Sequence, residues 1–156
     1  MPQYELAIAS DGATDPVPLV AYAVAPDGIE LAGEPVARAP QRNTAHQELV
    51  LWRLDGRLRL RSRRTGVFGN GDIYGAGRLT VWDCRKGRLL LTVLGKAGNP
   101  IQIVQNERLV RTLDVPNGSS QFVAVPVDAR PLAMGPCIFD VKSDGIFGTT
   151  QFRFER

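Results

Sequence analysis

Asn70, Asp72 and Tyr74 stand at alternate positions in the run GNGDIYGAGRLTVWDC, residues 69–84. An aromatic ring can cover the apolar C–H face of a pyranose, while an amide and a carboxylate bond its hydroxyls. The same oxygens, joined by backbone carbonyls and by Asp83 or Asp144, could instead ligate calcium, although the spacing is not that of an EF-hand. A plainer structural reading competes with both. There the glycines supply unusual backbone angles, and Asp72 caps its own turn by accepting nearby N–H groups. Among the aromatics, Tyr74 is the favoured sugar contact. Tyr74 and Phe147 read as loop residues, whereas Trp52 and Trp82 fall within strands beside Val50, Leu54 and Cys84.

A second chemical feature is GRLRLRSRR, which sets Arg57, Arg59, Arg61 and Arg63 on one strand face opposite Leu58 and Leu60, with Arg64 beside them. Guanidinium groups in such a stripe can hold phosphate or carboxylate bidentately. A solvated face that discourages edge pairing is the default alternative. Catalysis finds few parts. His46 is the only histidine, and Ser119 and Ser120 lack the context of a strained nucleophile elbow. Convergence of two among Asp72, Asp83, Asp140 and Asp144 is not determined by their positions in the chain.

Two cysteines permit one bridge. Thr80, Trp82 and Cys84 should share one strand face, and Cys137, Phe139 and Val141 another. If both faces point inward, Cys84 and Cys137 could join two sheets with Trp82 packed on the bond. A bridge closing so long a loop would add roughly 4 kcal/mol in the chain-entropy model. The alternative is a pair of ordinary buried thiols. Zinc is disfavoured, since there is no C-x-x-C and a single histidine.

The elements that must position these residues are short apolar runs with period-two alternation, ending at Gly, Pro, Asn or Asp. They predict strands near 3–9, 18–25, 47–54, 57–62, 77–84, 87–95, 100–105, 108–115, 121–127, 137–142 and 149–155. Reversals fall at Asp27-Gly28, Asp55-Gly56, Lys86-Gly87, Asn106-Glu107, Asn117-Gly118 and Asp144-Gly145. Eleven prolines and sixteen glycines leave little room for long helices. The one helix candidate is NTAHQELVLWRL, residues 43–54, with Asn43 or Thr44 as its cap and Glu48 near its first turn. The expected fold is therefore all-β, a single two-sheet sandwich over residues 1–156, of jelly-roll or immunoglobulin-like type. A weak internal echo links Asp72-Ile-Tyr-Gly75 to Gly145-Ile-Phe-Gly148, as if two hairpin entries were built alike.

Length and composition suit a protein with its own core: 156 residues, 44% of them hydrophobic. A net charge of +3 does not single out nucleic acid as a partner. The sequence has no uninterrupted run of about eighteen apolar residues, the length a membrane-spanning helix needs. The start MPQYELAIASDG lacks the parts of a signal peptide, so the expectation is either a cytoplasmic protein or a soluble piece expressed apart from its export machinery.

Two resemblances bear on function. The segments LWRLDG, GVFGNGDIYGAGRLTVWDC, LLLTVLGK, VPV and GPCIFDVKSDGIFGTTQFRFER, from about residue 50 onward, resemble the extracytoplasmic β-sandwich tail of actinobacterial multi-spanning membrane glycosyltransferases. The likeness lies in Asn70 to Gly75, Cys84, Cys137, Phe139 and Gly148 to Phe154. It implies a noncatalytic module outside the cytoplasm, with Cys84 and Cys137 bridged, that binds or positions cell-envelope glycan beside a parent membrane enzyme. The first third, AIASDGA, PLVAYAVAPDGIELAG and NTAHQELVLWRL, is similar to the start of the ribonuclease H fold. That likeness implies magnesium held by Asp11 and Glu48, with Asp83 as a third ligand, for phosphodiester cleavage. Such a fold needs several helices downstream, and residues 56–156 offer almost none.

The expectation is thus a carbohydrate-binding sandwich without enzymatic activity or a cofactor, calcium being the one ion considered. It is extracytoplasmic or secreted and has polysaccharide as its partner. Its ligand residues are Asn70, Asp72 and Tyr74, with Arg57, Arg59 and Arg61. The rivals are a metal-dependent nuclease using Asp11 and Glu48, and a structural or assembly protein working through its sheet edges.

Overall fold

The computed structural model describes residues 5–10, 19–25, 28–40, 48–53, 60–82, 84, 86–127 and 135–156. The protein is all-β: the described residues form twelve strands and no helix. They group into two compact units, Met1–Arg61 and Ser62–Arg156.

In the first unit lie β1 (Glu5–Ser10), β2 (Leu19–Ala25), β3 (Ile29–Leu31), β4 (Pro35–Pro40) and β5 (Glu48–Arg53). An antiparallel sheet runs β1-β2-β5-β4. Residues 48–53 are strand and not helix, because the run ELVLWR alternates: Val50 and Trp52 turn inward while Leu49 and Arg53 are exposed. Glu48 thus stands at the start of a strand, where the nuclease reading required a helix. Leu31, Val50 and Trp52 are buried together, with Ile29 and Leu60 against them. Leu54 of the sequence reading lies outside the described residues.

The second unit contains β6 (Leu60–Val67, which begins at the unit boundary), β7 (Asp72–Val81), β8 (Arg88–Leu94), β9 (Ile101–Gln105), β10 (Arg108–Leu113), β11 (Ser120–Pro126) and β12 (Cys137–Glu155). They form a large, curled antiparallel sheet. Its order runs β10-β9-β12-β7-β6, while β8 pairs with both β12 and β11. The curl comes from β12, a single 19-residue strand where the sequence predicts two with a reversal at Asp144-Gly145. Its first part, Phe139–Lys142, lies between β9 and β7, and its second, Gly148–Glu155, runs along β8. Two register shifts bend it. The shift between Lys142 and Ile146 keeps odd-numbered residues inward, from Phe139 and Val141 to Phe147. The shift between Thr149 and Gln151 switches parity, so Phe152 is the next residue buried.

At the first bend the chain backbones nearly touch. A Cβ on Gly98 would lie 2.6 Å from the carbonyl carbon of Gly145, and Gly98 N–H donates to the Ile146 carbonyl at 2.7 Å. Only glycine permits that approach.

Alternation fills the core. Leu79 and Val81 of β7, Leu89, Leu91 and Val93 of β8, Val123 and Val125 of β11, and Phe139, Phe147 and Phe152 of β12 are buried in one cluster. Each large side chain so buried contributes about 1.5–3 kcal/mol. Cys84 and Cys137 are joined in a disulfide, Cα atoms 6.1 Å apart, and both belong to this cluster. The path to that bond differs from the strand-face expectation. On β7 it is Leu79 and Val81 that face inward, and the strand ends at Val81. Thr80 and Trp82 are half-buried, and Cys84 reaches the core from beyond the strand. The echoed motifs are direct partners: Ile73 pairs with Phe147, and Tyr74 with Ile146, across β7 and β12. Inside and outside are exchanged between them, since Ile73 and Phe147 are buried while Tyr74 is exposed.

Candidate aromatic ledge at the turn between β6 and β7

The turn from Val67 to Asp72 is tightly specified. Gly71 N–H donates to the Phe68 carbonyl at 2.8 Å and Phe68 N–H to the Asp72 carbonyl at 2.9 Å. Gly71 adopts φ +86°, a left-handed conformation suited to glycine. Its carbonyl accepts from Thr149 N–H at 2.8 Å, which ties the turn to β12.

Within it, Asn70 and Asp72 serve each other. Asn70 Oδ1 accepts from the Asp72 backbone N–H at 3.0 Å, and Asn70 Nδ2 donates to Asp72 Oδ2 at 2.9 Å. Asp72 Oδ1 takes the Lys96 ammonium. The backbone cap is therefore supplied by Asn70, and the buried Asp72 carboxylate is engaged on both oxygens by side chains. An ammonium already on that carboxylate opposes a calcium ion there, because like charges would meet. Among the described residues no three His, Cys, Asp or Glu side chains group as metal ligands.

The aromatics above this lock are open to solvent. Phe68 is 57% and Tyr74 56% exposed. Their rings meet edge to face, centroids 5.0 Å apart and planes at 79°, the arrangement that the ring quadrupoles favour. With Gly69 and Asn70 they line an open depression of about 450 Å³.

Of the residues singled out in sequence, Asn70 and Tyr74 come together at this depression, with Asp72 beneath as a support. Phe68 was not among them. Its signal was its place just before Gly69-Asn-Gly71, where a tight reversal folds it back towards Tyr74. Phe147, read as a loop residue, is fully buried. Arg57 and Arg59 lie outside the described residues, as do Asp11, His46 and Asp83. Arg61 is half-buried and its Nη1 lies 3.5 Å from Glu30 Oε1, while Arg63 is exposed. Asp140 is bound by Arg78 through contacts of 2.7 and 3.0 Å, which raises the Arg78 pKa above its usual value. Asp144 is exposed and accepts from Ser143 at 3.3 Å. No protein-family model matches the chain, and no curated protein matches it in sequence.

Proposed function

We propose that the unit Ser62–Arg156 is a noncatalytic carbohydrate-binding module that engages a neutral envelope glycan on the ledge formed by Phe68 and Tyr74. The observation that carries this reading is the pair itself. Two aromatic rings are held perpendicular to one another in solvent, over a depression with an amide at its edge. Exposing both rings forgoes the burial that their area would reward, and the locked turn fixes their angle. One ring offers its face to the C–H surface of a pyranose and the other closes its side. The Asn70 amide keeps one N–H and one lone pair for a sugar hydroxyl after serving Asp72.

The Cys84–Cys137 bond supports an extracytoplasmic setting, since such bridges persist in oxidising compartments. Beside a membrane glycosyltransferase, the setting implied by the sequence resemblance, such a module would position polysaccharide near the enzyme. The test is an array of neutral envelope polysaccharides read with the wild type, Tyr74→Ala and Phe68→Ala. Binding by the wild type, weakened about tenfold or more in each variant, is the expected result. Absence of binding to every neutral glycan, or binding that both variants retain, refutes it.

A further inference from the structure

The outward face of β8, β11 and the second part of β12 holds a different set of groups. Phe122, Thr92 and Gln151 form one cross-strand row, and Ala124, Leu90 and Arg153 the next. Their chain neighbours Val123, Leu91 and Phe152 are buried in the core, which sets these six on the opposite side. Phe122 is 58% exposed, whereas Leu90 is only 5% exposed although it faces outward. Leu90 is therefore covered by its neighbours, and half-buried Thr92 is the residue left accessible between Phe122 and Gln151.

Arg153 is distinguished by its partner. Arg78 and Arg88, also exposed, each bind a carboxylate across the sheet, Asp140 and Glu155. Arg153 instead meets a neutral amide. With the amide oxygen of Gln151 turned toward it, that oxygen accepts from Arg153 Nε at 2.9 Å and Nη2 at 3.2 Å. Among the described residues the guanidinium makes no ion pair, so it is aimed but not neutralised there, and its Nη1 protons and second Nη2 proton remain to be given. The other amide atom of Gln151 lies 3.5 Å from Thr92 Oγ1.

Phe122 and Gln151 are two strand spacings apart, about 10 Å, and Arg153 reaches back to Gln151. An aromatic ring and a cation therefore bracket a strip wide enough for one sugar ring, floored by Thr92. We infer that this face is a second binding site, for a uronic acid residue, with its pyranose against Phe122 and its carboxylate bidentate on Arg153. Charge complementarity selects the acid, because a planar guanidinium fork matches a carboxylate. None of these residues lines the depression at Phe68 and Tyr74, so the site stands whether or not that ledge binds neutral glycan.

The test is calorimetric titration with trigalacturonate and with its full methyl ester, using the wild type, Phe122→Ala, Arg153→Gln and Tyr74→Ala. Binding of the acid should fall about tenfold or more in Phe122→Ala and in Arg153→Gln, since a charge-assisted pair is lost or its platform removed. The ester should bind as weakly as the acid does to Arg153→Gln, and Tyr74→Ala should leave affinity unchanged. Phe122 and Arg153 are exposed, so an unaltered thermal midpoint will separate loss of binding from loss of fold. No binding of the acid at millimolar concentration overturns the proposal. So does an ester that binds as well as the acid, or a loss confined to Tyr74→Ala.

Discussion

Ile73 and Phe147 face each other across β7 and β12, both fully buried, next to the pair of exposed Tyr74 with half-buried Ile146 on the same two strands. The aromatic ledge is thereby anchored on the most enclosed part of the core, so Tyr74 cannot shift without disturbing packing on the other side of the sheet. Phe147→Ala should cost about 3–5 kcal/mol, and Ile73→Val only about 0.5–1.5 kcal/mol. Urea unfolding followed by fluorescence will show the difference in midpoint.

Asp72 and Lys96 should be energetically coupled. Lys96 is 42% exposed at its side chain and Asp72 12%, so solvent screens the pair from one side. A double-mutant cycle with Asp72→Asn and Lys96→Met should give a coupling near 1 kcal/mol. Lys96→Met alone should be the costlier single change, because it leaves a buried carboxylate with only the Asn70 amide to serve it.

The Cys84–Cys137 bond closes a sequence separation of 53. Reduction should lower stability by about 4 kcal/mol in the chain-entropy model. Thiol titration of the unreduced, denatured protein should find no free thiol, and adding reductant should move the urea midpoint down.

The hairpin between β9 and β10 turns on two residues with positive φ, Asn106 at 45° and Glu107 at 68°. A Cβ is disfavoured at that left-handed angle, so Glu107→Gly should stabilise by about 0.5 kcal/mol as relief of strain outweighs added chain entropy. Asn106→Gly should do the reverse. Asn106 Oδ1 accepts from Ile138 N–H at 2.7 Å, and its loss should cost about 1 kcal/mol. Thermal midpoints of the two variants should move in opposite directions.

Alternation made β8, β9 and β11 legible, because their inward residues are aliphatic and the turn into β11 carries the Asn117-Gly118 signal, where Gly118 has φ +82°. On β7 it pointed to the wrong face, since Leu79 and Val81 and not Thr80 and Trp82 are buried. What misled was local chemistry that global packing overrode. Ser143-Asp144-Gly145 reads as a reversal, yet β12 bends there and continues, since its two parts serve different partner strands. The helical reading of 43–54 rested on caps at residues outside the described ones, while Val50 and Trp52 obey a period of two. Neither Phe68 nor the Phe122–Arg153 face was legible, because each depends on register: a ring matters as a platform only when a hairpin or a cross-strand row sets its partner beside it. The roles of Asn70 and Asp72 were inverted for the same reason, Lys96 being 24 positions away.

β12 pairs with β7, β8 and β9, all of which precede it in the chain. A polypeptide emerging from the ribosome would therefore expose the apolar sides of those earlier strands until this late segment arrives to knit them together. Maturation of this unit is accordingly a terminal, all-at-once event. Synthesis stalled anywhere before Cys137 should yield a nascent chain that chaperones hold and proteases cut.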